Sequence, residues 1–171
     1  MAQSVIPTDL LVTGHGAFNT LSVASATITN AMISASTEID STKVEHYTLE
    51  TFELFGPTTS VAALTQWIAT MRAAGTIVSF EAAIAVVATG ADRTITVDLQ
   101  KSTGAGAFST VCSATIGFTN ASAVRTLGTA TLSATSLVDG DILEVVVTVA
   151  GAAGAQATGL TVSLGLDRTR A

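Results

Sequence analysis

The chain has 171 residues and carries few charges: only 12% are Asp, Glu, Lys or Arg, and 48% are hydrophobic. This length fits one ordinary domain. The net charge of -6 argues against nucleic-acid binding, and the single cysteine excludes an intrachain disulfide. Since a surface this poor in charge tends to associate, an oligomer is favoured over an isolated chain with a merely Ser- and Thr-rich surface.

The N-terminal region has a five-residue repeat. From residue 21 it divides into the pentads LSVAS, ATITN and AMISA, and the spacing extends backward to residue 18. Five is neither a helical nor a strand period, and it is typical of short extended pieces separated by corners, as in β-solenoids and fibre shafts. Three pentads cannot bury their apolar face alone, so we expect them to wind against two other copies; an arm lying loosely on its own domain is an equal alternative. The predicted assembly residues of the arm are Phe18, Leu21, Val23, Ile28 and Ile33.

We predict an extended N-terminal arm over residues 1–46 and a β-sandwich domain over 47–171, because apolar runs alternate with turn residues from residue 47 onward. The predicted strands cover 47–55, 66–72, 76–87, 93–101, 108–118, 124–133 and two runs within 141–166. Segment 58–75 also fits a helical face, so a short helix at 60–71 is the alternative to its strand. Eight strands predict an all-β fold, an antiparallel jelly-roll-like sandwich, with an immunoglobulin-like sandwich as the alternative.

The last two predicted strands are interpreted as a β-hairpin that closes the sandwich. Their inward alternations run from Leu143 to Val149 and from Leu160 to Leu166, and a glycine-rich loop joins them. The opposite alternation of the first strand carries Ile142 and Val146, where a solvated face would be polar. We therefore predict that a neighbouring copy covers Ile142 and Val146.

The candidate reactive residues do not form a recognisable site. His15 and His46 are far apart in sequence and match no metal spacing, and no GxSxG motif is present. Cys112 lies within an apolar run, which indicates a buried small hydrophobe, and Asp139 and Asp141 bracket a glycine as in a turn. We expect no catalytic residue, metal or cofactor, and therefore no enzyme.

Two further functions are weighed against the sequence. Residues 145–166 lack charge and are long enough to span a bilayer, but their polar residues and alternation are typical of strands, and the N-terminus lacks the features of a secretory signal. Trp67 and Tyr47 could stack on sugars, but aromatic residues make up only 5% of the chain. We expect both rings to pack in the core or in an interface.

Four segments carry a resemblance to a known class of protein: MRAAGTIVSFEAAI (71–84), RTITVDLQKST (93–103), SLVDGDILEVVVTVAG (136–151) and GAQATGLTVSLGL (154–166). Their order resembles that of small β-sandwich virion proteins of tailed bacteriophages, and the pentads are similar to the intertwined segments of phage fibres. The resemblance covers about 47–166 and 17–40, and it carries over no catalytic or ligand residue.

The resemblance implies a virion structural protein, made in the host cytoplasm, that forms a homotrimer. It implies a capsid decoration (cement) protein whose arm attaches it to the major capsid protein or another virion protein, with no nucleic-acid or membrane partner. The alternative is a short head or tail fibre, or an adhesin-like receptor-binding sandwich.

Overall fold

A computed structural model describes residues 47–104, 106–152 and 154–168, and all regular secondary structure in these residues is β-strand. The predicted arm, with Phe18, Leu21, Val23, Ile28 and Ile33, lies outside the described residues. The strands are β1 (Tyr47–Ser60), β2 (Leu64–Thr70), β3 (Gly75–Val86), β4 (Thr94–Ser102), β5 (Ser109–Thr110), β6 (Cys112–Ala114), β7 (Ile116–Thr119), β8 (Gly128–Thr129), β9 (Thr131–Leu132), β10 (Ser136–Leu137), β11 (Ile142–Ala150) and β12 (Thr158–Arg168).

Two five-stranded antiparallel sheets make up most of the described structure. Sheet A has the strand order β1-β12-β3-β10, with β8 also pairing with β3, and sheet B has the order β2-β11-β4-β5, with β7 also pairing with β4. Strands β6 and β9 form a separate pair. The prediction of an antiparallel all-β fold is confirmed, and its organisation is sandwich-like because both sheets contribute to one buried cluster.

The core follows the predicted alternation in the long strands. In β4, Ile95, Val97 and Leu99 are buried, as are Leu143, Val145 and Val147 in β11. In β12 every second residue from Leu160 to Leu166 is fully buried. Burying a Val, Leu or Ile side chain contributes roughly 1.5–3 kcal/mol, so these faces supply the main force that holds the sheets together.

The predicted hairpin at 141–166 is wrong, because β11 and β12 belong to different sheets. Strand β11 lies between β2 and β4, and β12 lies between β1 and β3, so each is paired on both edges and has no free edge for the other. The connection therefore crosses from sheet B to sheet A. An alternating strand with one buried face fits a crossover as well as a hairpin, and pairing partners decide between them.

The crossover connection is fastened to the loop before β4. Thr89 N donates a hydrogen bond to Ala155 O at 3.0 Å, and Ala155 N donates to Thr89 Oγ1 at 2.8 Å. The guanidinium of Arg93 donates to Ala152 O at 3.0 Å and to Gly154 O at 3.2 Å. These bonds hold the two loops side by side at one end of the body.

Strand β1 corrects the predicted end of the first strand, and β2 decides between the strand and the helix considered for the second. Strand β1 continues through Gly56 and Pro57 to Ser60, although the sequence predicts an end at Gly56-Pro57. A proline is tolerated there because β1 is an edge strand, and its pairing with β12 is interrupted by register shifts after Glu53 and Phe55. Strand β2 confirms the strand predicted at 66–72, and the alternative helix at 60–71 is wrong.

The middle of the chain is more broken than predicted. The single strand predicted over 108–118 is three short strands, β5, β6 and β7. Val111 N still donates to Leu99 O of β4, but Val111 O accepts from Ser133 N, and a register shift lies between Cys112 and Ala114. The strand predicted over 124–133 begins only at Gly128, and residues 136–137 form β10 ahead of the predicted turn at Asp139-Gly140. The described residues thus contain twelve strands in place of the eight predicted.

Gly151 offers a direct test of the crossover. Its φ is +81°, and a Cβ at this position would collide with the carbonyl oxygen of Asp92. We predict that Gly151→Ala lowers the free energy of unfolding by about 3 kcal/mol, measured by chemical denaturation.

Gly140→Ala is the matched control, since Gly140 has a φ of +84° but no atom within 4 Å of the added Cβ. It should lose roughly 1 kcal/mol from backbone strain alone. Equal losses in the two variants would contradict the close approach of the two loops.

Candidate interaction surface

The outer surface of sheet B carries an unusual combination of groups. Since Leu143, Val145 and Val147 point into the core, the intervening residues of β11 point outward. In the strand register, Glu144 lies between Trp67 of β2 and Gln100 of β4, and Val146 lies beside Asp98 of β4. We call this surface the acidic face and define it by Trp67, Asp98, Gln100, Ile142, Glu144 and Val146.

Trp67 is the most prominent apolar group of the acidic face, with 66% of its surface exposed. Its ring centroid lies 6.4 Å from that of Phe108, and the two ring planes are inclined by 32°. Tyr47, on sheet A, is 55% exposed, so neither ring packs in the core, and packing of these rings in an interface stays a prediction. An exposed tryptophan is the residue type most often found at the centre of a protein interface.

Glu144 has no partner within the described residues. Only 6% of the residue is exposed, and its carboxylate makes no hydrogen bond or ion pair there, although its oxygens are not fully enclosed, unlike Asp141 Oδ1. Neighbouring Asp98 is different: its Oδ2 accepts from Gln100 Nε2 at 2.9 Å and its Oδ1 from Thr110 Oγ1 at 2.6 Å. A buried carboxylate is normally satisfied, so Glu144 is suited to accept a donor from outside the chain.

The two domain residues predicted for assembly, Ile142 and Val146, both lie half-buried on the acidic face. Their coverage by a neighbouring copy stays a prediction. Trp67 and Glu144 are not among the residues predicted for this surface from the sequence. A glutamate on the outward alternation of an otherwise apolar strand was the available signal for Glu144, whereas the position of Trp67 depends on the pairing of β2 with β11.

A second exposed surface lies on the loop between β7 and β8. Val124 and Leu127 are 46% and 56% exposed and flank Arg125, whose side chain is exposed as well. Arg125 is the one non-glycine residue of positive φ (55°) in the described parts of the chain, and its N–H donates to Ile84 O at 2.9 Å. We call residues 124–127 the basic loop.

The basic loop adjoins a surface pocket of about 260 Å³ on sheet A. Arg125 and Glu53 supply its charged groups, and Phe55 and Pro57 are among its apolar lining residues. The pocket forms where Gly159 of β12, with a φ of +65°, comes close to Ala85 of β3. Its lining shares no residue with the acidic face.

The polar groups considered in the sequence have structural roles. Asp141 Oδ2 accepts from Val138 N at 2.9 Å and closes the turn, while its Oδ1 is buried without a partner. Glu50 pairs with Arg168 at 2.7 Å. Among the residues that the structure describes, no three His, Cys, Asp or Glu side chains come together as a metal site, and His15 and His46 lie outside them.

Cys112 is buried, as predicted, with 7% of its surface exposed. Burial raises the pKa of the Cys112 thiol, and the nearby Asp98 carboxylate raises it further by destabilising a thiolate. Fewer thiolates are therefore present at any given pH, which makes this cysteine a poor nucleophile.

Comparison with known proteins assigns no function to these surfaces. No protein-family model, curated protein or solved structure matches the chain. Across the described residues, no helix is long and apolar enough to cross a membrane.

The environment of Cys112 predicts slow thiol chemistry. In the native protein at pH 8, a water-soluble disulfide reagent should react with Cys112 roughly a hundredfold or more slowly than in the protein unfolded in guanidinium, because reaction requires local opening. The pH at which the native reaction reaches half its maximal rate should be higher than for an exposed thiol, because the pKa of Cys112 is raised.

A Cys112→Ser/Ser113→Cys variant is the control, since it moves the thiol to the exposed neighbouring position. It should react at nearly the unfolded rate. Equal rates for the native wild-type protein and this variant would contradict the burial of Cys112.

Proposed function

We propose that the chain is a structural protein of a tailed-bacteriophage virion and acts as a capsid decoration (cement) protein. The observation that carries the proposal is a sandwich-like body with two separate exposed surfaces that combine apolar and charged groups, the acidic face and the basic loop. Such surfaces suit a protein that works by contact with copies of itself and with other proteins. The sequence resemblance to phage virion proteins supplies the setting.

The proposed protein is a homotrimer whose body is jelly-roll-like and whose arm, residues 1–46, attaches it to the major capsid protein or another virion protein. The pentads of the arm supply repeated small apolar contacts, and three arms on one trimer engage the capsid together. Linked weak contacts of this kind give a much tighter attachment than any one of them. The arm residues Phe18, Leu21, Val23, Ile28 and Ile33 make these contacts in the proposal, and no metal, cofactor or catalytic group takes part.

The second candidate is a short head or tail fibre, or an adhesin-like receptor-binding module. The 66% exposure of Trp67 favours it, because an exposed indole beside polar groups can stack on a sugar ring. The crossover loop favours decoration, because its hydrogen bonds to the loop before β4 leave little of the adaptability that receptor-binding loops use. The two functions differ in where the tight contact lies, in the arm or on Trp67.

Attachment of the truncated chain tests the proposal. We predict that deletion of residues 1–40 lowers the affinity for virions that lack the protein on the order of a hundredfold or more, because the linked arm contacts are lost. Co-sedimentation with virions measures the affinity, and a cooperative thermal transition shows that the remaining domain folds.

A matched pair of full-length variants separates arm contacts from simple length. Ile28→Asp/Ile33→Asp changes the third position of two pentads and should weaken attachment. Thr29→Asp/Ser34→Asp places the same charges one residue further on and should retain most of it. Undiminished binding by the truncated chain, together with loss of binding in Trp67→Ala, would contradict decoration and favour the receptor-binding alternative.

A further inference from the structure

We propose that the acidic face of one chain binds the basic loop of a second copy, with Arg125 of one copy paired to Glu144 of the other. The contact is head-to-tail, since it joins two different surfaces of the same protein. It names the residues through which the self-association in the proposed function occurs. It rests on the proposed function only for the number of copies, which is three.

The charges on the two surfaces favour a second copy of the chain as the partner of the acidic face. Within the described residues Glu144 makes no hydrogen bond or ion pair, and its carboxylate oxygens reach the surface, so a partner that covers the face has to supply a donor to them. Three of the five basic side chains that the structure describes already donate within the chain: Arg93 to Ala152 O and Gly154 O, Lys101 to Ser136 O and Arg168 to Glu50. The remaining two described basic residues, Arg72 and Arg125, are exposed.

Apolar surface distinguishes Arg125 from Arg72. Val124 and Leu127 flank Arg125 with 46% and 56% of their surfaces exposed, whereas the residues that follow Arg72 are two alanines. The acidic face offers Trp67, Ile142 and Val146 around Glu144 as the complementary apolar surface. A contact that joins them buries apolar groups around one ion pair, which is the usual arrangement of an interface centre.

The backbone of the basic loop supports a fixed presentation of Arg125. A positive φ in a residue with a side chain is unfavourable and persists only where the surroundings hold it. The hydrogen bond from Arg125 N to Ile84 O supplies such a restraint on the side of β3. The backbone that carries Arg125 is thus fixed at the centre of the loop, which reduces the backbone entropy lost on binding.

A face-to-face dimer is disfavoured by the same charges. Two acidic faces brought together would oppose Glu144 and Asp98 with their own copies, with no cation on either side. The basic loop is tied to sheet A through β3, whereas the acidic face belongs to sheet B, so one chain offers both halves of the contact. Head-to-tail contacts close into a ring when the rotation between neighbouring copies is a whole fraction of a turn, and the proposed trimer corresponds to a third of a turn.

Charge reversal in the full-length protein tests the contact. We expect Arg125→Glu to lower the association constant on the order of tenfold or more in sedimentation velocity, because two carboxylates then meet in the interface. Glu144→Arg should do the same, and the double variant Arg125→Glu/Glu144→Arg should recover association by restoring an opposite pair. Arg72→Glu and Asp139→Arg are the matched controls with the same changes in net charge, and both should associate like the wild type.

Glu144 is buried, so Glu144→Arg needs a check of folding. Glu144→Gln keeps the shape of the side chain and should weaken association without unfolding the protein. Arg125→Glu changes an exposed loop residue and keeps the test decisive if Glu144→Arg fails to fold.

Trp67 provides a second readout, because it is the single tryptophan of the chain. Its emission should be shifted to the blue in the assembled wild type, where the partner's loop covers it, and should shift to the red on dilution. In Arg125→Glu the red-shifted emission should already be present at concentrations where the wild type is assembled.

The outcomes separate this contact from its competitors. Unchanged association in Arg125→Glu overturns the proposal, and so does a double variant that associates no better than the single variants. If assembly survives both reversals and is lost on deletion of residues 1–40, the arm alone holds the copies together, and the decoration role stands while this contact fails. Weaker virion binding by Glu144→Gln at unchanged self-association would place a virion protein on the acidic face and would also overturn the proposal.

Discussion

The body depends on the apolar packing contributed by β11 and β12. These strands are the central members of their sheets, and their inward side chains belong to one buried cluster. Each is paired along both edges, so the sheets are assembled around them. The crossover between the two strands is what places one strand in each sheet, and the positive φ of Gly151 beside Asp92 allows the close approach of the loops at that end.

This arrangement determines what the outside of sheet B can do. The inward residues of β11 pack in the core, and the outward residues are not the polar residues of a solvated strand. Ile142 and Val146 are half-buried, Glu144 makes no hydrogen bond or ion pair in the described part of the chain, and Trp67 lies beside them with most of its surface exposed. This combination of apolar groups around one carboxylate suits the proposed contact, in which a surface with a cation and apolar groups covers it.

The sequence predicts some parts of this structure well, for a simple physical reason. Period-two alternation reports which side chains share a face, so the buried residues of β4, β11 and β12 follow from the pattern, and so does the turn at Asp139-Gly140. Alternation does not report the partner strand, and the glycine-rich segment after Val149 fits a hairpin as well as a crossover. For this reason the sequence predicts a hairpin at 141–166 where the structure has a crossover between sheets.

The candidate surface was predictable to the same extent. Ile142 and Val146 are visible as apolar residues on an outward alternation. The position of Trp67 follows from the pairing of β2 with β11 and could not be read from the chain, and Arg125 is in a left-handed conformation that its sequence context does not indicate. The short strands between Ser109 and Leu132 arise where Val111 O bonds Ser133 N in place of β4 and where the register shifts after Cys112, and periodicity indicates neither.

Self-association is decided by the mass of the full-length protein in solution. Light scattering coupled to size-exclusion chromatography, over a range of loading concentrations, gives that mass without a label or a partner. We expect a species with the mass of three chains that persists on moderate dilution. A mass of one chain at every concentration would contradict it.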